Sequence, residues 1–178
     1  MAHLVHLNNL YRTTIELPIN LSHINANRAN ILFTLIDEDA YIKAINGDNI
    51  RVKLDVIWSD EYYPNCIFDF FYRIYRSYKY NRTRDVQTLY LDYNNSSLVS
   101  VFSNNFTERG LVFDSTQNLQ HESYTYSINQ LDEGPNNTRN IYVSTWNHIF
   151  SQHDNNPNMD KQILNVGRDI PIGRLLIQ

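Results

Sequence analysis

Cysteine and glycine are both scarce in this chain. It holds one cysteine, Cys66, in 178 residues, so no disulfide can close within it and no cysteine-rich zinc site can form. Glycine and proline number 5 each. The glycine-built motifs GxxxxGK[ST], GxGxxG and GxSxG are absent, which excludes the usual phosphate cradles and the nucleophile elbow. HExxH is absent too, and His3, His6, His23 and His121 share no metal-ligand spacing. The expectation is therefore no metal and no cofactor. Charged residues make up only 19%, and the net charge is −4 with a pI near 5.8. That argues against general electrostatic capture of nucleic acid or anionic membranes. No apolar run approaches the ~20 residues of a membrane span. The opening MAHLVHLNNLYRTT lacks the apolar core of a signal peptide, so a reducing, cytoplasmic setting is expected.

Polar neutral residues fill the gap left by charge. Asparagine is about one residue in seven, far above its ordinary rank. With glycine scarce, Asn and Asp are expected to take the turns, since they tolerate left-handed backbone and mimic turns with their side chains. The 13 tyrosines and an aromatic content of 13% exclude a disordered chain. The length fits a single globular domain spanning 1–178 with a sizeable core.

Ile50, Val52, Leu54, Val56 and Trp58 alternate with Arg51, Lys53 and Asp55, the period-two pattern of a half-buried strand. Upstream, the apolar run 29–36, the polar Asp37-Glu38-Asp39 break and the Asn46-Gly47 pair predict a three-stranded meander closed by a hairpin. Residues 88–93 and 98–102 predict a second hairpin across Asn94-Asn95-Ser96-Ser97, and 110–114, 123–128, 13–19 and 170–177 are further strand candidates. Pro18 and Pro171 suit strand ends or edges. The expected fold is mainly β, an antiparallel sandwich or open barrel with one or two short helices.

One helix candidate begins near Pro64, where Ile67, Phe68, Phe71, Ile74, Tyr75 and Tyr78 recur at helical spacing. Read as a strand, the same segment would line one face with Phe68, Phe70, Tyr72 and Ile74. Its band of Tyr72, Arg73, Tyr75, Arg76, Lys79, Arg82 and Arg84 could stack bases and neutralise phosphates of a single strand. Tyr78 and Tyr80 would add further stacking rings. The plainer reading puts the rings in the core and the cations on a solvated edge.

The other helix candidate is STWNHIFSQHD, 144–154, with Trp146, Ile149 and Phe150 on one face and Ser144 or Thr145 as cap. His148, His153 and Asp154 would supply general acid and base chemistry. Five residues apart, the two histidines diverge on a helix and on a strand, so only a loop or helix end could bring them together. The plainer reading makes His153 the C-terminal histidine of a helix. Trp146 is either core or a sugar-stacking platform.

With no catalytic motif, the leading functional expectation is a non-enzymatic binding or assembly module. It would make protein or carbohydrate contacts, as a viral structural or accessory protein or a lectin-like domain does, and it could form oligomers. The tyrosine-rich surface supports this, because tyrosine offers large contact area at low entropy cost. A small hydrolase or nuclease using His148, His153 and Asp154 is the alternative. Single-stranded nucleic acid binding through the aromatic and basic band is the second.

Overall fold

The computed structural model describes residues 16–24, 29–81, 84–108, 110–113, 121–170 and 172–173. These form one curled sheet, an open half-barrel, with two helices. The strands are β1 (Ile19–Ile24), β2 (Ile31–Ile36), β3 (Ile50–Trp58), β4 (Asp85–Asn94), β5 (Ser97–Phe106), β6 (Glu122–Ser127), β7 (Arg139–Val143), β8 (Phe150–Ser151), β9 (Lys161–Asn165) and β10 (Ile172–Gly173). Helix α1 spans Glu38–Ile45 and α2 spans Cys66–Tyr80. The sheet order is β10-β2-β3-β4-β5-β8-β7-β1-β9, with β6 paired beside β5. Most pairings are antiparallel, as expected, but β1–β7, β5–β8 and β10–β2 run parallel.

Alternation builds the concave face. Val52, Leu54, Val56 and Trp58 of β3 meet Leu89 and Leu91 of β4, and all are fully buried. Ile19 and Leu21, Ile141 and Val143, Val101, Phe106 and Phe150 complete the core from the other half of the sheet. Ile57 is buried as well, so strict period two fails at the end of β3. The β4–β5 hairpin turns on Asn95 and Ser96, with φ of 47° and 65°. That is the type I′ geometry ordinarily left to glycine. Of the six described non-glycine residues with positive φ, four are asparagines, as the turn argument expects.

Asparagine has a second use inside the sheet. Asn20 on β1 lies directly across from Asn140 on β7 and Asn165 on β9. Their buried amides bond one another at 3.2 and 3.1 Å, and Asn20 also donates to Thr138 at 2.6 Å. Gly134 closes this ladder. A Cβ there would lie 2.5 Å from the Asn140 amide oxygen and 2.7 Å from the Asn20 amide nitrogen, so any side chain would have to push this ladder apart.

Two expected elements come out differently. The segment between β2 and β3 is α1, so there is no meander hairpin. Asp37 caps it by accepting from Ala40 N at 3.0 Å, with Glu38 and Asp39 in its first turn, where acids suit the helix dipole. The polar break is thus a helix start, and Asn46-Gly47 is its end. An Asp37→Ala variant will lose about 1 kcal/mol of stability, read as a lower urea midpoint with an unchanged slope. Likewise, 144–154 holds no helix. It forms a turn at Thr145–His148 leading into β8. Of the remaining strand candidates, 110–113 is not a strand. Residues 13–15, 114, 171 and 174–177 lie outside the described residues.

Candidate functional site

The segment from Pro64 is the helix α2, which begins at Cys66, two residues later than the proline suggests. Asn65 is the cap, accepting from Ile67 N at 3.0 Å and Phe68 N at 3.3 Å. Asn81 closes the far end in the left-handed region. The surprise is its orientation. Asp69 and Arg76 are its buried residues. Ile67, Phe68, Phe70, Phe71 and Ile74 are each more than half exposed, and Tyr78 is 91% exposed. At 100° per residue, the apolar stripe points nearly opposite to the Asp69–Arg76 side. The reading that put the rings in the core is therefore overturned for Phe68, Phe70, Phe71 and Tyr78, while its solvated cations hold for Arg73, Lys79 and Arg84 and fail only for Arg76, which is buried.

A charged clamp explains the inversion. Arg76 is 4% exposed. It reaches Asp60 at 3.2 Å, Glu61 at 3.5 Å and Asp85 at 3.9 Å, and donates to the Arg84 carbonyl at 3.4 Å. Arg73 reaches Asp60 from the surface at 2.8 Å. Tyr72 donates to Glu61 at 2.5 Å, and its ring meets Trp146 edge-on at 5.6 Å. Asp69 accepts from Tyr63 N at 2.7 Å. Such buried ions hold a unique geometry because each unpaired alternative costs several kcal/mol. The clamp thus fixes which side of α2 meets the sheet.

The clamp runs on into the core through Asp85. The β3–β4 register sets Asp85 beside Trp58, both on the concave face. His148 is fully buried, stacks on the Trp58 ring at 4.2 Å, and pairs its Nδ1 with Asp85 at 3.0 Å. Its backbone sits at φ 61°, in the left-handed region that residues other than glycine seldom adopt. His148 N donates to the Thr145 carbonyl and Asn105 Nδ2 donates to the His148 carbonyl, both near 3.0 Å, and hold it there. His23, on the core face of β1, meets Trp58 at 4.9 Å and His148 at 6.3 Å.

These surroundings move the proton affinities in different directions. Burial, then His148 nearby, lowers the His23 pKa to about 4. Burial lowers that of His148 despite Asp85. For Asp85 burial is the largest influence and pushes upward, but the bonds from His148 and Gln87 and the charge of Arg76 outweigh it, and the pKa falls. Burial and Asp85 push Glu61 up to about 7, against Tyr72 and Arg76. A neutral His148 donating from Nδ1 to an ionised Asp85 satisfies that pair.

The residues singled out in the sequence do not assemble as one site. His148 is sealed, while His153 is exposed and pairs with Asp132 at 3.2 Å. Asp154 pairs with Lys161 at 2.8 Å. Two of the band's cations, Arg73 and Arg76, are engaged by carboxylates. Lys79 lies over the rings of Tyr75 and Tyr80 at 5.2 and 5.1 Å. Arg84 is exposed, and Arg82 lies outside the described residues. Trp146 is buried between Tyr63 and Tyr72. Sequence reasoning missed Asp60, Glu61 and Asp85, which are distant in sequence and carry no spacing signal. Among the described residues, no three His, Cys, Asp or Glu side chains group as a metal site, and no helix is long and apolar enough to cross a membrane. No protein-family model, no curated protein and no solved structure matches the chain.

Proposed function

We propose that this protein is a binding and assembly module that docks on a protein partner through the outer face of α2. One observation carries the reading: the helix spends its polar side on an internal clamp and leaves its aromatic side bare. Monomeric proteins rarely expose a contiguous apolar patch above a few hundred Å². Phenylalanine, tyrosine and a scarcity of charge are what the core of a protein interface is made of. The clamp presents this face already ordered, which removes an entropy cost from binding.

The histidine chemistry has less support. Its three residues share no site, and a fully buried His148 offers no face to a substrate. Nucleic acid binding needs several cations along the stacking rings; Arg73 and Arg76 face Asp60 instead, which leaves Lys79 over Tyr75 and Tyr80 with less support around it.

Hydroxyl-radical footprinting tests the proposal. Phe71 and Tyr78 will be labelled several-fold less in a concentrated extract of the producing cells than in dilute purified protein. Equal labelling in both would sink the reading.

A further inference from the structure

Given that α2 is a docking surface, we infer that its occupant is a second copy of this chain, packed α2 against α2, antiparallel, about a two-fold axis.

The centre of the exposed face is the series Ile67, Phe71, Ile74, Tyr78. Its spacing of four, three and four residues is that of a seam between two helices. The series is also symmetric under reversal. In an antiparallel pair centred between Tyr72 and Arg73, Ile67 meets the partner's Tyr78, and Phe71 meets the partner's Ile74. Every contact then sets an isoleucine on an aromatic ring. A parallel pair would set like on like and bring the two Lys79 ammonium groups, exposed at the helix C-terminus, toward each other. The antiparallel pair places Lys79 across from the partner's uncharged Cys66 and opposes the helix dipoles. Self-complementarity of this kind is what an isologous interface requires.

The area agrees. The exposed parts of Ile67, Phe68, Phe70, Phe71, Ile74 and Tyr78 amount to on the order of 800 Å², taking ~200 Å² for each large side chain. A standard interface buries about that much per partner. An anionic lipid surface is the weaker occupant. The chain carries a net −4, and polybasic segments are what such surfaces capture.

Sedimentation velocity from about 1 to 100 μM decides it, at protein concentrations set to bracket an ordinary dimer affinity. The wild type will sediment at twice 21.0 kDa. A Phe71→Glu, Ile74→Glu variant, with both changes on exposed positions, will sediment as the monomer with unchanged far-UV circular dichroism. Ile42→Glu, a charge placed on the exposed side of α1, will remain dimeric. A nitroxide on the native Cys66 will report a separation near 20 Å, from about thirteen residues at ~1.5 Å each. A wild type that stays monomeric to about 100 μM, or a dimer that survives the α2 charges, would overturn the second copy as occupant. So would a dimer with the two labels within about 10 Å, which is near the spacing of parallel packed helices. A monomer whose Tyr78 is still protected in the cell extract would defeat this inference and leave the docking reading standing. A monomer with Tyr78 unprotected would defeat both.

Discussion

Arg76→Met will destabilise the protein by about 3–5 kcal/mol at pH 8, because removing one partner from a buried ion cluster leaves the others uncompensated. At about 2–4 °C per kcal/mol for a chain of this size, the midpoint falls by roughly 6–20 °C. Methionine keeps much of the volume and the apolar stem, so the loss reports charge and not a cavity. Among the described residues, the half-exposed Arg73 is then the cation left beside Asp60, while Glu61 and Asp85 lose theirs in the same buried space. Glu61, whose pKa already lies near 7, can relieve the strain by taking up a proton, so the loss will shrink as pH falls toward 5. Arg76→Lys will recover only part of it, since one ammonium cannot match the guanidinium fork. The effect also has an address. Amide exchange will accelerate first in α2, which depends on this clamp for its attachment. An Arg76→Met variant within about 1 kcal/mol of wild type at pH 8, compared by urea unfolding, would show that the clamp does not hold the helix.

The second large effect is a divergence with pH. His23→Gln and Glu61→Gln will depart from the wild type in opposite directions between pH 8 and pH 4. The folded-state pKa of His23 is lowered from 6.5 to about 4. Its contribution is fully present above pH 6.5 and is lost as pH falls through 4. Glu61 is raised from 4.5 to about 7. Its contribution is fully present below pH 4.5 and is lost as pH rises through 7. Each spans about 3 kcal/mol at ~1.4 kcal/mol per tenfold change in proton affinity. The two largely cancel in the wild type over the shared range. Glu61→Gln removes the gain on acidification, so it will lose about 3 kcal/mol more than the wild type on going from pH 8 to pH 4. His23→Gln will lose about 3 kcal/mol less. Urea titrations at half-unit pH steps give both curves, and parallel curves for all three proteins would refute the assignment.

Much of the sheet was legible before any coordinates. The alternation of Ile50 to Trp58 and the paired runs around Asn94-Asn95-Ser96-Ser97 became β3 and the β4–β5 hairpin, because period two on a half-buried surface has one solution. The α1 segment was misread because Asn-Gly serves a helix end as readily as a hairpin. Asp37 with Glu38 and Asp39 carried the signal that could have decided it. In 144–154 the helical spacing of Trp146, Ile149 and Phe150 was incidental. Each is buried by a different part of a turn and a short strand.

By itself the sequence determined the β-rich class, the use of asparagine for reversals, and the presence of an amphipathic element after Pro64. These follow from local backbone preference and from side-chain period, which neighbours in the chain suffice to set. Tertiary structure alone decided which side of that helix faces the protein. Hydrophobic period predicts an apolar side turned inward. Asp60 and Glu61 after β3, and Asp85 opening β4, converge only once the sheet has formed, and their combined charge draws Arg76 in and turns Phe71, Ile74 and Tyr78 out. No pattern along α2 could reveal that, because the charges that orient it lie on other elements.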